Sequence, residues 1–271
     1  MTPAETPRFE TMTTGGLLDR VFRLYAANFP LMLGVTAAAY VPLYALQLFA
    51  QAHKETFGLD LTTFIFGFLF YLLLMSLTFP IATGAATYAI SERYLGHEVT
   101  VGAALGRAFK RLWTLSMAQL EVGLWIMLGI LLLIIPAILW GLSYTLVVPV
   151  VMVEGFKAGP SLKRSWELVK GNRGKVFIVL FVITVIQGLV NAGVVGLSAL
   201  FLDHQSPSGR LIDAALTDIA QIVLTPLIII ADILLYYDLR IRKEGFDLEM
   251  LSRDLAAIPE TAGAAPAAVS R

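Results

Sequence analysis

Residues 113–153 read WTLSMAQLEVGLWIMLGILLLIIPAILWGLSYTLVVPVVMV, 41 residues with one charge, Glu121. As a single helix this stretch would be about 60 Å long at ~1.5 Å per residue. That is twice the ~30 Å hydrocarbon core of a bilayer. One long kinked helix and a tight hairpin near Pro136 both fit the apolarity, and length favours the hairpin. Read so, the stretch crosses a membrane twice, as Trp113–Ile135 and Ala137–Val153.

Four further runs have the ~20 mostly apolar residues a spanning helix needs: Phe29–Ala50, Thr63–Ile90, Val176–Leu202 and Leu211–Tyr237. Six spans make an all-α polytopic membrane protein of three hairpins. The placement of basic residues supports the count. Of the 20 Lys and Arg, all but Lys54 and Arg210 then fall on one side. By the positive-inside rule both termini are expected in the cytoplasm. The asymmetry disappears if the 113–153 run crosses only once.

Composition agrees. Apolar residues make up 57%, charged residues 15%, and mean hydropathy is +0.75. With a formal net charge of zero the chain has no basic field to hold nucleic acid. Cysteine is absent, so there is no disulfide, thiolate metal site or cysteine nucleophile. Residues 1–14 lack the pattern of a cleaved signal, so the first span is expected to remain as an anchor, and residues 1–13 read as a flexible N-terminus. Residues 14–250 read as one membrane domain. The Ala/Pro-rich 251–271 is too poor in large apolar residues to fold and reads as a disordered tail.

Three basic segments carry apolar residues at helical spacing: Leu17 to Tyr25, Val101 to Leu112, and Leu162 to Val169. Each predicts an amphipathic helix on the cytoplasmic interface, with Thr100 and Pro160 as start signals. They align on Leu-x-Arg-x-aromatic, as Leu18/Arg20/Phe22, Leu105/Arg107/Phe109 and Leu162/Arg164/Trp166. Each precedes two spans, the second of which holds a proline: Pro80, Pro149, Pro226. The chain reads as three copies of surface helix plus hairpin. Arg20, Arg107, Lys110, Arg111, Lys163 and Arg164 are candidate contacts for anionic lipid head groups. Anchoring the topology is the plainer role for such cations.

Four stretches carry a family likeness: Gly16–Tyr25, Pro149–Gly155, Ser161–Gly171 and Tyr236–Asp247. Together they resemble the bacterial membrane-domain family named after glycerophosphoryl diester phosphodiesterases, over roughly residues 14–250. Some members of that family carry a fused phosphodiesterase domain, and here the membrane part stands alone. The resemblance implies a multi-pass protein of the bacterial inner membrane and transfers no activity. His53, His97 and His204 are scattered over loops, without metal-ligand spacing.

An ionisable group inside a span is a candidate site by default. Glu121 counts about 12 Å inward from Trp113, and Asp218 about as far from Arg210. Gln187 and Asn191 share a face of the fifth span with Thr184 and Ser198. Asp218, Gln221, Thr225 and Asp232 share a face of the sixth. In an antiparallel hairpin Asn191 should meet Asp218 or Gln221, and Gln187 should meet Thr225, with Glu121 at a similar level. These residues line a polar cavity or serve as helix-to-helix glue, and glue is the preferred reading. Glu154 is expected to pair with Lys157, Lys163 or Arg164, and Asp238 with Arg240 and Arg242.

No phosphate loop, nucleophile triad or metal motif is present. The sequence therefore points to a non-enzymatic membrane protein without cofactor, a scaffold or accessory protein acting through lipids or a partner. A small transporter or lipid-handling protein with a polar cavity around Glu121, Asn191 and Asp218 is the alternative. Cysteines placed at positions 54 and 210 should react with impermeant reagents from outside the cell. Those at positions 110 and 170 should react only from inside, and inside labelling at position 54 would overturn the topology.

Overall fold

The computed structural model describes residues 11–53 and 61–244, so the expectations for Lys54 and the 251–271 tail lie outside it. The described residues contain helices and no strand. Three units follow one another. The first is α1 (Thr14–Ala27), α2 (Phe29–Ala52) and α3 (Leu61–Tyr94). The second is α4 (Val101–Lys110), α5 (Leu112–Leu132) and α6 (Ile134–Tyr144), with a helical turn α7 (Val147–Pro149) and a π-helical turn Val150–Glu154. The third is α8 (Ala158–Val169), α9 (Arg173–Phe201) and α10 (Pro207–Glu244). In each unit a short helix precedes two long ones. Six helical stretches are long and apolar enough to cross a membrane.

Local chemistry sets the boundaries. Thr13 and Thr100 cap α1 and α4, their hydroxyls accepting from Gly16 N at 3.1 Å and Ala103 N at 3.3 Å. Pro160 falls inside the first turn of α8, which starts two residues before the expected signal; proline is tolerated there because that N–H has no helical partner. The stretch that decides the fold does fold back. Leu133 alone is extended between α5 and α6. Gly129 lets the two backbones touch, since a Cβ on it would stand 2.6 Å from Ala137 Cα. Gly155 ends the π-helical turn at φ +76° and lies under Arg111, whose Nη1 donates to the Gly155 carbonyl at 2.9 Å.

The six spans pack around a ring in the order α2, α3, α5, α6, α9, α10, and α10 also touches α3 across it. The ring is not uniform along its axis. We call the face carrying α1, α4 and α8 basal and the hairpin-turn face distal. The core sits on the basal side. In α3, Ala82, Ala85, Ala86, Ala89 and Ile90 are buried, whereas Phe66, Phe68, Leu69 and Phe70 near its distal end are exposed. In α9, Val176, Val179 and Ile183 are buried and Leu200 and Phe201 are exposed. The small side chains of basal α3 permit close helix approach, which replaces the missing hydrophobic driving force between helices in lipid.

Gly129→Ala should cost about 1–3 kcal/mol, because the added methyl meets backbone rather than a movable side chain. Gly123→Ala, where a Cβ meets nothing within 4 Å, should be neutral or better. Thermal melting in detergent separates the two, and equal melting temperatures would contradict the close contact at the hairpin.

Candidate functional site

Polar groups concentrate at two levels: a break in α10 at Pro226 and a charged layer at the basal face. Pro226 has no N–H, so the carbonyl of Ile222, four residues back, loses its helical donor. Within a membrane an unsatisfied carbonyl costs several kcal/mol unless a neighbouring helix supplies a donor. Thr36 of α2 does so, and two further helices bond the next two carbonyls along α10. Thr36 Oγ1 of α2 lies 3.0 Å from the Ile222 carbonyl and 2.9 Å from its own Met32 carbonyl. The Tyr25 hydroxyl of α1 donates to the Val223 carbonyl at 2.7 Å. Gln187 Nε2 of α9 donates to the Leu224 carbonyl at 2.7 Å. Thr36 is fully buried.

The other two units show related contacts. Pro80 frees the carbonyl of Ser76, and Ser116 Oγ of α5 reaches it at 3.3 Å. Ser165 Oγ of α8 donates at 2.7 Å to the Ser143 carbonyl, just before α6 breaks ahead of Pro149. The hydroxyls run in a cycle: the second unit serves the first, the first serves the third, and the third serves the second.

At the basal face Glu154, Arg164, Glu244, Arg240 and Tyr236 close a ring. Arg164 Nε is 2.9 Å from Glu154 Oε2, and its Nη1 is 2.5 Å from Glu244 Oε1. Arg240 joins Glu244 Oε2 at 3.1 Å and the Tyr236 hydroxyl at 3.0 Å. That hydroxyl donates to Glu154 Oε1 at 3.0 Å. Burial works against the Arg164 charge, but hydrogen bonds and charge from Glu244 and Glu154 outweigh it and hold the guanidinium above its ordinary value.

Beside the ring, Asp238 is fully buried and receives Lys175 Nζ at 2.6 Å, Arg242 Nε at 2.9 Å and the backbone N–H of Met12 at 2.7 Å. Lys175 and Arg242 also hold the Met12 carbonyl. The segment ahead of α1 is thus tied down through both polar groups of one peptide residue. Glu154 takes Arg164 from the three expected partners. Asp238 takes Arg242, while Arg240 turns to Glu244 and Tyr236.

The expected head-group cations divide. Arg20 lies over the Tyr94 ring at 5.1 Å and Arg107 over Tyr88 at 5.9 Å. Arg111 holds Gly155, and Arg164 belongs to the ring. Lys110 and Lys163 remain on exposed faces, Lys163 at 4.0 Å from Glu167. Turning Arg111 and Arg164 inward corrects the picture of six outward cations. Helical periodicity shows that a residue is polar, but not that a second helix covers it.

The intramembrane residues do not converge. Glu121 Oε2 lies beside Gly159 at the start of α8, 4.0 Å from where a Cβ would stand. The main neighbours of α5 are α6, α3 and α8, so Glu121 is not grouped with Gln187, Asn191 and Asp218. Counting inward from Trp113 gave depth and no direction around the bundle. Asp232 Oδ1 accepts from Thr145 Oγ1 at 2.9 Å.

Gln187 reaches the Leu224 carbonyl rather than the neighbouring Thr225 side chain, which turns back to Gln221 O. Asn191 donates to Gln187 O within its own helix, and its Oδ1 is buried without a partner. Gln221 is exposed, and Asp218 is buried with Oδ2 unpaired. Among the described residues no three His, Asp or Glu stand close enough to hold a metal ion. Sequence reasoning passed over Thr36, Tyr25 and Ser116. For Thr36 and Ser116 the signal was a hydroxyl at the level of a carbonyl four residues before a proline, while Tyr25 meets the carbonyl three residues before Pro226.

A family model described as Domain of unknown function (DUF7847) matches residues 61–236, a stretch that holds Pro80, Pro149 and Pro226. Comparison with curated proteins and with solved structures returns no match.

Thr36→Val strips the donor from a buried carbonyl and should cost about 1–3 kcal/mol. Pro226→Ala in the same chain restores an N–H to Ile222 and should recover part of the loss. A double-mutant cycle by thermal melting measures this coupling, and strictly additive effects would contradict it.

Proposed function

We propose that this chain, which belongs to the family described as Domain of unknown function (DUF7847), is a non-enzymatic membrane scaffold acting through its basal face. One observation carries the reading: the polar groups at the proline level of α10 and at the basal face join helices. Thr36, Tyr25 and Gln187 fix three helices to α10, Thr145 fixes Asp232, and the basal carboxylates Glu154, Asp238 and Glu244 are all matched by cations. Such an arrangement rigidifies a platform. Among the described residues it does not group Glu121 with Gln187, Asn191 and Asp218.

Lysines on the exposed faces of α4 and α8, Lys110 and the Lys163 that also stands 4.0 Å from Glu167, then face anionic lipid or an acidic partner. We place the protein in a bacterial inner membrane with the basal face and both termini cytoplasmic, on the strength of its Lys/Arg asymmetry. The sequence likeness to membrane domains named after glycerophosphoryl diester phosphodiesterases supports a membrane role of this kind without a hydrolytic activity.

Proteoliposomes carrying the chain and a trapped pH indicator test the reading. A scaffold should dissipate an imposed pH gradient no faster than protein-free vesicles. A photo-cross-linker at position 110 or 163 in native membranes should give discrete protein adducts that one at exposed Phe66 does not. Flux that Glu121→Gln abolishes would instead make the chain a transporter.

A further inference from the structure

The three short basal helices differ in what they turn outward. α1 pairs Arg23 with its own Asp19 at 3.0 Å, and α8 sets Lys163 4.0 Å from Glu167. α4 has no such counter-charge. Residues 99–120 contain Arg107, Lys110 and Arg111 and no Asp or Glu. Arg111 is engaged by the Gly155 carbonyl, whereas Arg107 and Lys110 are exposed and meet no carboxylate among the described residues. The aligned aromatic side chains differ in the same way. Trp166 of α8 is covered by Tyr144 and by Arg173, which lies 4.5 Å from its ring. Phe109 of α4 is 58% exposed, and Trp113, four residues on, is 76% exposed.

Packing holds α4 at a fixed place. A Cβ on Gly34 of α2 would stand 2.9 Å from Val101, and one on Gly84 of α3 would stand 3.5 Å from Ala108. Ala104 and Ala108 are buried on that inner side. On the outer side a Cβ on Gly102 or Gly106 would meet nothing within 4 Å. The adjoining span α5 runs from the bend at Arg111 to the extended Leu133. Its 21 residues make about 32 Å at ~1.5 Å per residue, close to the ~30 Å hydrocarbon core. Both limits are breaks in the helix itself. Trp113 therefore stands at the basal edge of the hydrocarbon, the level that interfacial tryptophans occupy. Arg107 and Lys110, neighbours one turn apart on α4, lie on the head-group side of it.

We propose that α4 and the first turn of α5 bind an anionic phospholipid. Arg107 and Lys110 take its phosphate, and Phe109 and Trp113 lie against its acyl chains. Two cations without a protein counter-charge attract a net-negative head group more strongly than a zwitterionic one. A free phosphate would satisfy the cations and leave the two aromatic side chains bare, whereas a lipid covers both. The inference rests on the scaffold reading in taking the basal face as the working face, and it divides that face. α4 meets lipid, and α8, with Lys163 and Glu167 outward, is left to a protein partner.

The test offers the purified full chain equal amounts of phosphatidylglycerol and phosphatidylcholine with the same acyl chains in detergent, and counts retained lipids by native mass spectrometry. The wild type should prefer phosphatidylglycerol by about tenfold, the order expected of two cations that each contribute severalfold. Lys110→Gln should lower the preference severalfold, and Arg107→Gln added to it should bring parity. Lys163→Gln should leave the preference unchanged. Trp113→Ala should lower phosphatidylglycerol retention severalfold. Unchanged melting temperatures verify that substitutions at these exposed positions leave the fold intact. Equal retention by the wild type, a preference that survives the double substitution, or one that Lys163→Gln lowers as far as Lys110→Gln would overturn the site. So would retention unchanged in Trp113→Ala, displacement of the lipid by free glycerol phosphate, or a photo-cross-linker at position 113 that captures protein rather than lipid in native membranes. The lipid counts do not depend on proton flux, so failure of this site and failure of the scaffold reading are told apart.

Discussion

The missing N–H of Pro226 organises the bundle. A carbonyl that loses its helical donor inside a membrane cannot turn to water and must be satisfied by protein. Proline frees the Ile222 carbonyl, and the Val223 and Leu224 carbonyls beside it also take bonds from other helices, so three acceptors stand at fixed height on α10. Thr36, Tyr25 and Gln187 fill them from α2, α1 and α9. Hydrogen bonds between membrane helices average only ~0.6 kcal/mol, since the separated helices find other partners. Their value here is in register. Each fixes how far one helix slides along another where apolar packing alone would be indifferent.

Below this break the charged layer locks the basal ends. The ring through Glu154, Arg164, Glu244, Arg240 and Tyr236 links the end of the second unit to both ends of the third. Asp238 adds the segment ahead of α1. Such pairs contribute little net stability when desolvation is counted, but removing one partner strands the other. They are better understood as fixing one arrangement of helix ends. Among the described residues the distal halves carry fewer such fastenings, and their exposed Phe, Leu and Ile side chains are left to lipid. The two halves differ because most polar contacts between helices lie at the basal end and the proline level, with the Ser198–Asp213–His204 group at the distal turn of α9 and α10 an exception.

The internal repeat gains a physical meaning from this. Proline in the second span frees the carbonyl of Ser76 in the first unit and of Ile222 in the third, each reached by a hydroxyl of another unit, whereas in the second unit the bonded carbonyl is Ser143, six residues before Pro149. Ser116 serves the Pro80 break, Thr36 the Pro226 break, and Ser165 the carbonyl of Ser143 ahead of Pro149. A single hairpin of this kind would carry an orphaned carbonyl in the bilayer, whereas three in a cycle leave fewer.

The sequence alone determined that six helices cross a membrane as three hairpins, each behind a short amphipathic helix. Span length and apolar periodicity are one-dimensional properties of helices in lipid, and Trp113–Val153 is too long to cross once. It also narrowed Glu154 to Lys157, Lys163 or Arg164 and Asp238 to Arg240 and Arg242, because those residues lie close along the chain or on one helix face; the structure takes Arg164 and Arg242. Tertiary structure alone decided which way each polar side chain turned around the bundle. Glu121, equal in depth to Asn191 by residue counting, faces α8 instead. Arg111 and Arg164, basic on amphipathic helices, turn to Gly155 and to Glu154 and Glu244. Depth follows from position along one helix, while direction depends on which other helix arrives beside it. That is settled by contacts between residues far apart in the chain, such as Thr36 and Ile222.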